Sequence, residues 1–339
     1  MNVWELLNLP GLDDGLARVE EELRQAVAAP EPVLSEVASH LMAAGGKRLR
    51  PALLLAAALS TGAPVGPGVV QGAVAVELVH MGSLYHDDVI DDASSRRGVQ
   101  SANARWGNLV AILAGDFLLA KASEIAAGLG TEVVRVLATT ISRLCEGELV
   151  QLRHSYSTQR TEAAYFRAIS AKTASLLSAS TRIGGLVAGA PAETVDALTR
   201  FGQAFGMAFQ IWDDVNDLVR TEAELGKPAG HDILEGTYTL PVIRALADPG
   251  SGPEIGALLG QELAGPELEQ VRDMILATGA LQSSVTEGRR WADEAATTLA
   301  SIPEAGTSLN GNAAGAEAAR STLAGLAQKL FDDLDVRAG

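Results

Sequence analysis

Two aspartate clusters in this chain share one spacing, D-D-x-x-D. Together they comprise Asp87, Asp88, Asp91, Asp213, Asp214 and Asp217. On a helix, residues four apart lie on one face, where like charges repel by roughly 0.2–0.5 kcal/mol per pair. A bound cation would relieve this repulsion, and Mg²⁺ takes one or two carboxylates while keeping waters or phosphate oxygens in its other positions. The repeated cluster therefore predicts magnesium sites that hold a diphosphate.

A basic segment, Gly-Gly-Lys-Arg-Leu-Arg-Pro at 45–51, interrupts this net-acidic chain. Lys47 and Arg50 are three residues apart, and Pro51 indicates the first turn of a helix. Both cations would then lie on one side, beside free backbone N–H groups. This arrangement predicts a diphosphate site, and a helix cap with a solvated basic face is the alternative.

His80 precedes Asp87 by seven residues, so helical geometry returns it to nearly the same face. There it could donate to a phosphate oxygen, although a satisfied core histidine is an equally simple reading. Arg96 and Arg97 follow the cluster in a predicted loop. Because guanidinium forks match phosphate oxygens, both arginines are candidate phosphate ligands.

Lys172 interrupts an otherwise apolar helical stretch and precedes Thr173. A buried ammonium is costly without a partner, so Lys172 either extends to solvent or faces an anion. Gln210 precedes the second aspartate cluster by three residues, and Lys227 follows that cluster in a glycine-proline loop. These side chains complete the set of candidate polar groups.

The elements that must position these side chains are helices. The chain has 339 residues, 47% hydrophobic and 4% aromatic, with polar interruptions at helical spacing and no convincing strand alternation. This pattern predicts an all-α protein, and the absence of a linker-like segment predicts one domain over residues 1–339. We expect helices at 11–28, 31–44, 49–61, 67–92, 104–127, 131–157, 161–189, 192–220, 237–248, 265–279, 281–301 and 312–335.

Charge and cysteine content exclude several classes of protein. A formal net charge of −16 argues against nonspecific nucleic-acid binding, which needs compensating basic residues. No apolar run is long enough for a membrane span, and no secretory signal is evident, so a cytoplasmic protein is expected. The single cysteine, Cys145, cannot form a disulfide within one chain.

The motifs GGKRLRP, DDVIDD with RRG, KT, and QIWDDVND with GKPAGHD and TLP occur in that order. Over residues 30–245 the chain resembles the trans-isoprenyl diphosphate synthases, the prenyltransferases that include farnesyl and polyprenyl diphosphate synthases. The resemblance implies an isoprenoid synthase fold, with antiparallel helices around a deep central cavity, and a homodimer. It also implies head-to-tail condensation of isopentenyl diphosphate with an allylic diphosphate such as farnesyl or geranylgeranyl diphosphate.

The resemblance also assigns roles to the candidate residues. It implies that the six aspartates bind Mg²⁺ and that the partners of the allylic diphosphate are Arg96, Lys172 and Lys227. It implies an isopentenyl diphosphate site of Lys47, Arg50, His80 and Arg97. The oxygens of Thr173 and Gln210 would face the forming carbocation. One departure is Thr237, which stands where family members often carry lysine.

Product length depends on Ser83 and Gly82, four and five residues before Asp87. They would lie about 6–7.5 Å further along the helix, on the same side. Short-product members of the family resemble one another in carrying aromatic rings there, so two small residues predict a long product, hexaprenyl or above. Close helix packing at these residues, with a floor elsewhere and a short product, is the alternative.

Three rival functions fit these residues less well. A noncatalytic subunit would typically lack one aspartate cluster, and this chain has both. An isoprenoid cyclase would not need the isopentenyl diphosphate site indicated by Lys47, Arg50 and Arg97. A metal-dependent phosphohydrolase built on His86 and Asp87 would need more histidine ligands than five scattered positions provide.

Overall fold

The computed structural model describes residues 7–221, 229–302 and 312–335. Nearly all regular structure in these ranges is helical, which confirms the predicted all-α class. The first seven helices are α1 (Leu12–Ala26), α2 (Pro32–Ala43), α3 (Leu49–Leu59), α4 (Pro67–Ile90), α5 (Ala102–Trp106), α6 (Asn108–Leu129) and α7 (Thr131–Leu152). They are followed by α8 (Glu162–Ile169), α9 (Ser175–Val187), α10 (Ala192–Val219), α11 (His231–Leu234), α12 (Leu240–Leu246), α13 (Gly252–Leu258), α14 (Gly265–Leu276), α15 (Ala280–Ala300), α16 (Ala313–Lys329) and α17 (Asp332–Asp335).

Two long helices, α4 and α10, carry the aspartate clusters. Helix α4 begins after Gly66 with Pro67 in its first turn, where the missing N–H of proline costs nothing. It packs against α1, α3, α6 and α9 and is largely buried between Val69 and Tyr85. Helix α10 packs against α9 and α15. Helix α9 therefore contacts both cluster-bearing helices and links them across the core.

The apolar side chains form a large core cluster and a smaller one toward the C-terminal part of the chain. Three helices, α10, α12 and α15, contribute to both clusters. In α10, Val215 belongs to the large cluster and Leu218 to the small one. In α15, Val285 belongs to the large cluster and Ala280 to the small one. Within the described residues, no helix is both long and apolar enough to cross a membrane.

The segment predicted as one helix over 161–189 has three parts. Helices α8 and α9 are separated by a single π-helical turn, Ser170–Ala174. Apolar periodicity predicted the helix but not the wider turn, because a π turn changes the spacing by only one residue. π turns of this kind are frequent at functional sites.

Other boundaries also differ from the prediction. The expected helix at 104–127 is broken at Gly107, whose φ of 85° separates α5 from α6. The gap left between the helices predicted at 237–248 and 265–279 contains α13.

A short antiparallel hairpin was not predicted. Its strands are β1 (Ser95–Arg96) and β2 (Val99–Gln100). The turn places Arg97 and Gly98 at φ of 53° and 77°, and two consecutive positive φ values are what a two-residue hairpin turn requires. This hairpin fixes the predicted Arg96–Arg97 loop directly after the first aspartate cluster.

Candidate active site

A polar cavity of about 1060 Å³ brings most of the predicted site residues together. Both aspartate clusters, the hairpin and the π turn reach it. The predicted residues that line it are Asp87, Asp91, Arg96, Arg97, Lys172, Thr173, Gln210, Asp213 and Asp214. The cavity therefore joins carboxylates from two helices with cations from two other segments.

Within the first cluster, Asp87 and Asp91 line the cavity while Asp88 is fully buried. Asp88 Oδ1 accepts a hydrogen bond of 2.6 Å from Nε of Arg96, and Nη2 of the same guanidinium lies 2.6 Å from that oxygen. Burial raises the pKa of the Asp87 carboxyl to about 6, although the Lys172 ammonium opposes the shift. Burial also raises the pKa of Asp91. These two carboxylates lack full compensation by protein cations, as expected of groups that bind a further cation.

The second cluster is arranged differently. Asp213 is exposed in the cavity, whereas Asp214 and Asp217 are buried. Asp217 Oδ2 accepts a hydrogen bond of 3.1 Å from Asp232 N, and its carbonyl accepts one of 2.7 Å from Gly230 N. Asp217 thus holds the loop that follows the helix, rather than facing the cavity beside Asp213 as the spacing predicted.

The π turn presents Lys172 and Thr173 to the cavity. Glycines on both flanking helices allow its close approach. A Cβ atom at Gly147 of α7 would lie 2.7 Å from Lys172 N, and one at Gly206 of α10 would lie 2.5 Å from Ala174 Cα. Real Cβ atoms essentially never come so close. The two glycines therefore allow α7 and α10 to pack closely against the π turn.

Lys172 faces carboxylates, so the sequence alternative of a side chain extended to solvent is not what the structure shows. Its Nζ lies 2.5 Å from Glu148 Oε2 of α7. Burial lowers the pKa of Lys172, but the charges of Asp87 and Glu148 outweigh burial and raise it. Glu148 was missed by sequence reasoning, because an acidic residue in an amphipathic helix gives no signal of its partner.

A hydrogen-bonded network connects the π turn to the second cluster. Thr173 Oγ1 donates to Gln210 Oε1 at 2.6 Å, and Gln210 Nε2 donates to Asp214 Oδ1 at 2.8 Å. Tyr165 Oη of α8 donates to Asp214 Oδ2 at 2.5 Å. Burial raises the pKa of Asp214 to about 7, although the hydrogen bonds from Tyr165 and Gln210 oppose the shift. Tyr165 was also missed, since nothing in the sequence marks a buried tyrosine seven residues before Lys172.

The basic segment meets α4 at a buried carboxylate, Glu77. Arg48 adopts a left-handed conformation (φ 41°) and caps α3, and its Nη1 lies 3.1 Å from Glu77 Oε1. Arg48 also pairs with Glu20. Burial lowers the pKa of Arg50 to about 10, and the charge of Glu77 opposes this shift. Glu77 is therefore the main counter-charge of these arginines, and nothing in its sequence context marked it for selection.

His80 and Arg97 lie near Arg50. Burial lowers the pKa of His80 well below its usual range, and the charges of Arg50 and Arg97 lower it further, so His80 is neutral. Arg97 Nη1 donates to the carbonyls of Leu41 and Gly45 and so reaches the basic segment. Three of the four residues predicted for the isopentenyl diphosphate site thus come together. Lys47 is exposed and precedes α3.

A second, apolar cavity of about 570 Å³ adjoins the first. Leu84, Asp87, Lys172 and Thr173 line both cavities. Arg50, His80 and Ser83 line the apolar cavity near this boundary. Its remaining wall consists mostly of aliphatic side chains from α6, α7 and α9, namely Ile112, Leu119, Ile141, Leu144, Leu149, Leu152 and Leu176.

Gly82 does not face this cavity. A Cβ at Gly82 would lie 3.1 Å from both the Gly115 carbonyl oxygen and Leu119 Cγ of α6. Gly82 and Ser83 were both expected to lie on the side of the helix where the product chain grows. Of the two, only Ser83 lines the apolar cavity. Gly82 instead allows α4 and α6 to pack closely, as the alternative reading proposed.

The carboxylates that face the polar cavity fit a hard divalent cation. Asp87, Asp91 and Asp213 could each offer oxygen ligands, and the raised pKa values of the first two indicate uncompensated negative charge. Among the described residues, no group of three or more acidic, histidine or cysteine side chains is already arranged to hold an ion. Mg²⁺ suits such a site, because it is usually bound by one or two carboxylates together with waters and substrate phosphates. Lys227, a predicted phosphate ligand, lies outside the described residues.

Comparisons with known proteins agree with this geometry. Residues 31–275 match the polyprenyl synthetase family. A heptaprenyl diphosphate synthase component 2 from Geobacillus stearothermophilus is 44% identical over 293 residues, covering 86% of this chain and 91% of that protein. A nonaprenyl diphosphate synthase from Mycobacterium tuberculosis is 40% identical over 299 residues, covering 86% and 87%. The crystal structure of a polyprenyl synthase from Caulobacter crescentus CB15, complexed with calcium and isoprenyl diphosphate, aligns with a TM-score of 0.83 at 33% identity, covering 93% of this chain and 94% of that one.

An all-helical fold whose two acidic helices meet over a cavity lined by cations defines a prenyltransferase of the isoprenoid synthase fold. The chain belongs to the polyprenyl synthetase family. The resemblance drawn from the motifs is thereby confirmed at the level of family, fold and enzyme class.

Proposed function

We propose that this enzyme catalyses the magnesium-dependent, head-to-tail condensation of isopentenyl diphosphate with an allylic diphosphate, giving an all-trans long-chain polyprenyl diphosphate. One observation carries the proposal. A polar cavity lined by Asp87, Asp91 and Asp213 adjoins an apolar cavity, and Asp87, Lys172 and Thr173 line both. A diphosphate in the first cavity would place its hydrocarbon tail in the second.

The chain's own residues suit the two halves of this reaction. Lys172 and Arg96 lie where they can bind the allylic diphosphate and stabilise the charge that develops as its C–O bond breaks. Arg50, His80 and Arg97 form the candidate site for isopentenyl diphosphate. The aliphatic side chains of the second cavity limit water near the allylic cation, which water would otherwise convert to an alcohol.

Asp87, Asp91 and Asp213 are the candidate magnesium ligands, with Asp88, Asp214 and Asp217 supporting them from behind. Bound magnesium would add positive charge that stabilises the departing diphosphate without proton transfer. Calcium in the Caulobacter crescentus structure supports a divalent-metal site in the family. No protein general base is required, since the departed diphosphate can accept the final proton.

The test is a product assay with purified protein, magnesium, labelled isopentenyl diphosphate and farnesyl or geranylgeranyl diphosphate. We expect labelled prenyl diphosphates and stoichiometric release of diphosphate. Recovery of free phosphate alone, or of a cyclic hydrocarbon, would reject the proposal. Chromatography of the dephosphorylated product gives its length.

The long product is supported by the small side chain of Ser83 at the boundary of the apolar cavity. We expect Ser83→Phe to shorten the product, because the ring would enter the cavity close to the diphosphates. Gly82→Ala is the matched control: it crowds α6 and should lower stability while leaving product length unchanged. An unchanged product from Ser83→Phe would place the length-determining residue elsewhere.

We also propose that the chain acts as a homodimer. Leucines of α6 and α7 are unusually exposed, with Leu109 at 80%, Leu113 at 63% and Leu149 at 56%. Ile112, Leu149 and Leu152 also line the apolar cavity, so a protein covering this face would close the cavity to water. Light scattering should give twice the chain mass. A monomer that elongates only after a second, different subunit is added would instead support a two-component enzyme, as the name of the Geobacillus stearothermophilus relative suggests for that protein.

Residues 1–339 are proposed to form one domain, since α10 and α15 each contribute to both core clusters. A cytoplasmic location is proposed because Cys145 is a free, exposed thiol, which agrees with a reducing compartment. Localisation of a tagged chain in its own cells would test this proposal.

A further inference from the structure

When ionised, the carboxylate of Asp214 only accepts hydrogen bonds, and this determines the direction of a hydrogen-bonded network that ends at the cavity. The network consists of Tyr165, Asp214, Gln210 and Thr173, and is called the Tyr165 network below. Tyr165 Oη donates to one carboxyl oxygen at 2.5 Å, and Gln210 Nε2 donates to the other at 2.8 Å. Each oxygen of Asp214 therefore accepts from a protein donor, and the residue is only 2% exposed although it lines the polar cavity.

The orientation of the Gln210 amide follows from this arrangement. Its NH₂ group must face Oδ1 of Asp214, which leaves its Oε1 toward Thr173. An amide oxygen only accepts, so Thr173 must donate its hydroxyl proton to Oε1, at 2.6 Å. Because the hydroxyl proton points toward Gln210 Oε1, Thr173 Oγ1 presents only lone pairs to the cavity.

A hydroxyl that presents only lone pairs suits a developing carbocation. A freely rotating threonine could turn its O–H toward the cavity, where the positive end of the dipole would oppose the cation. Fixed dipoles aimed at the developing charge stabilise a transition state more than dipoles that must reorient during the reaction. Thr173 lines both cavities, at the boundary where an allylic carbon would lie.

We infer that Asp214 and Tyr165 are positioning residues that fix the direction of the Gln210 and Thr173 dipoles, and that Asp214 acts through these hydrogen bonds rather than as a magnesium ligand. This inference rests on the proposed elongation reaction. It separates Asp214 from Asp213, its neighbour in the sequence, which is exposed in the cavity. Arg160 supports the network from behind, with its guanidinium 5.7 Å from the Tyr165 ring and its Nη1 2.9 Å from the Tyr238 carbonyl oxygen.

Three variants test the inference. Tyr165→Phe removes one donor to Asp214 and keeps the ring. Asp214→Leu replaces both acceptor oxygens with methyl groups on the same branched skeleton. Asp214→Asn preserves the network if its Oδ1 accepts from Gln210 while its NH₂ donates to Tyr165 Oη, so it is the conservative rescue. Tyr238→Phe is the control, because Tyr238 is equally buried and its hydroxyl accepts from Gly260 N, away from the cavity.

We expect Asp214→Leu and Tyr165→Phe to lower kcat for elongation by about 10–100-fold, as loss of an outer-shell hydrogen bond typically does. Asp214→Asn should retain most of the wild-type kcat, and the magnesium concentration at half-maximal rate should be nearly unchanged in all three variants. More diphosphate should be released per isopentenyl unit incorporated in the two impaired variants, since a poorly stabilised cation is captured by water. A purely structural role would not change this ratio.

Two results would overturn the inference. One is an Asp214→Asn variant as inactive as Asp214→Leu, with activity restored by excess magnesium, which identifies a metal ligand. The other is a Tyr165→Phe variant with the kcat and release ratio of Tyr238→Phe. If Asp214→Leu does not fold, the kcat and diphosphate-release ratio of Tyr165→Phe and Asp214→Asn still test the inference. Wild-type protein that forms no prenyl diphosphate would instead reject the proposed function itself.

Discussion

The two aspartate clusters have the same spacing but different surroundings. The first lies at the end of α4, so Asp91 caps the helix and is exposed in the cavity with Asp87. The second lies inside α10, which continues to Val219, and the segment that begins at residue 229 covers Asp217. The first cluster therefore has two carboxylates, Asp87 and Asp91, that face the cavity. The second, with the same D-D-x-x-D spacing, has one exposed carboxylate, Asp213. Spacing predicts which residues share a helix face, while the end of the helix determines which of them reach the cavity.

The largest effects should come from the exposed carboxylates. We expect Asp87→Asn and Asp213→Asn each to lower the elongation rate by about 10²–10³-fold or more, because each removes a proposed ligand of the magnesium that would stabilise the departing diphosphate. Incorporation of labelled isopentenyl diphosphate measures the rate, and circular dichroism checks the helix content. Asp196→Asn, on the exposed surface of α10, is the control and should behave as wild type. A normal rate in either cluster variant would remove that residue from the proposed metal site.

The middle residue of the first cluster should respond through stability. Asp88 is fully buried and paired with Arg96, so Arg96→Leu leaves a buried charge without its partner. We expect a loss of about 3 kcal/mol in the free energy of unfolding, measured by urea denaturation. Adding Asp88→Asn to this variant should recover part of the loss, because an uncharged amide is cheaper to bury. No recovery in the double variant would mean that Arg96 contributes mainly by packing.

The last residue of the second cluster should show a smaller effect. Asp217→Asn keeps an acceptor for Asp232 N but weakens a charge-assisted hydrogen bond, so we expect a loss of about 1 kcal/mol in unfolding free energy. Its elongation rate should remain well above that of Asp213→Asn. A rate as low as that of Asp213→Asn would show that the two residues act together and that the difference between the clusters is smaller than their burial indicates.

The smallest effect is a pH dependence that differs between the clusters. Burial raises the pKa of Asp87 from 3.8 to about 6 and that of Asp214 to about 7. The folded protein therefore binds these protons more tightly than the unfolded chain, so its stability declines as pH rises through 6 and 7. Without magnesium, the urea midpoint should fall between about pH 4 and pH 7, the range between the ordinary aspartate pKa and the raised values. Asp87→Asn should remove the lower part of this decline and Asp214→Asn the upper part, and a profile unchanged by both would contradict the assignment.

Much of the fold was predictable because it depends on local pattern. The predicted helices at 67–92 and 192–220 correspond to α4 and α10, whose ends are marked by Pro67 and by the residues around Pro191. Boundaries set by single glycines were less predictable. The break at Gly107 depends on a left-handed backbone conformation, which the apolar pattern of 104–127 does not reveal.

The candidate site was predictable in its residue types but not in its pairings. The helical repeat correctly placed Asp87 and Asp91 together on the cavity, and the sequence indicated that Lys172 would face an anion or solvent. Its partner Glu148 lies on another helix, so their contact depends on how α7 packs against the π turn. The burial of Asp217 likewise depends on a loop contact, the hydrogen bond from Asp232 N, which lies fifteen residues later in the chain. Contacts of this kind follow from tertiary packing, which spacing within one motif cannot encode.

The π turn at Ser170–Ala174 carries one residue more than the α-helical turn it replaces. In an uninterrupted helix, an added residue would rotate everything after it by about 100° and turn the apolar face of α9 away from its neighbours. The wider turn absorbs that rotation, so the segments before and after it keep their packing. Shortening this turn by one residue should restore a regular helix with both faces intact, while withdrawing the ammonium and hydroxyl that it now projects. We therefore expect the fold to survive loss of the π turn, and the elongation reaction to be lost.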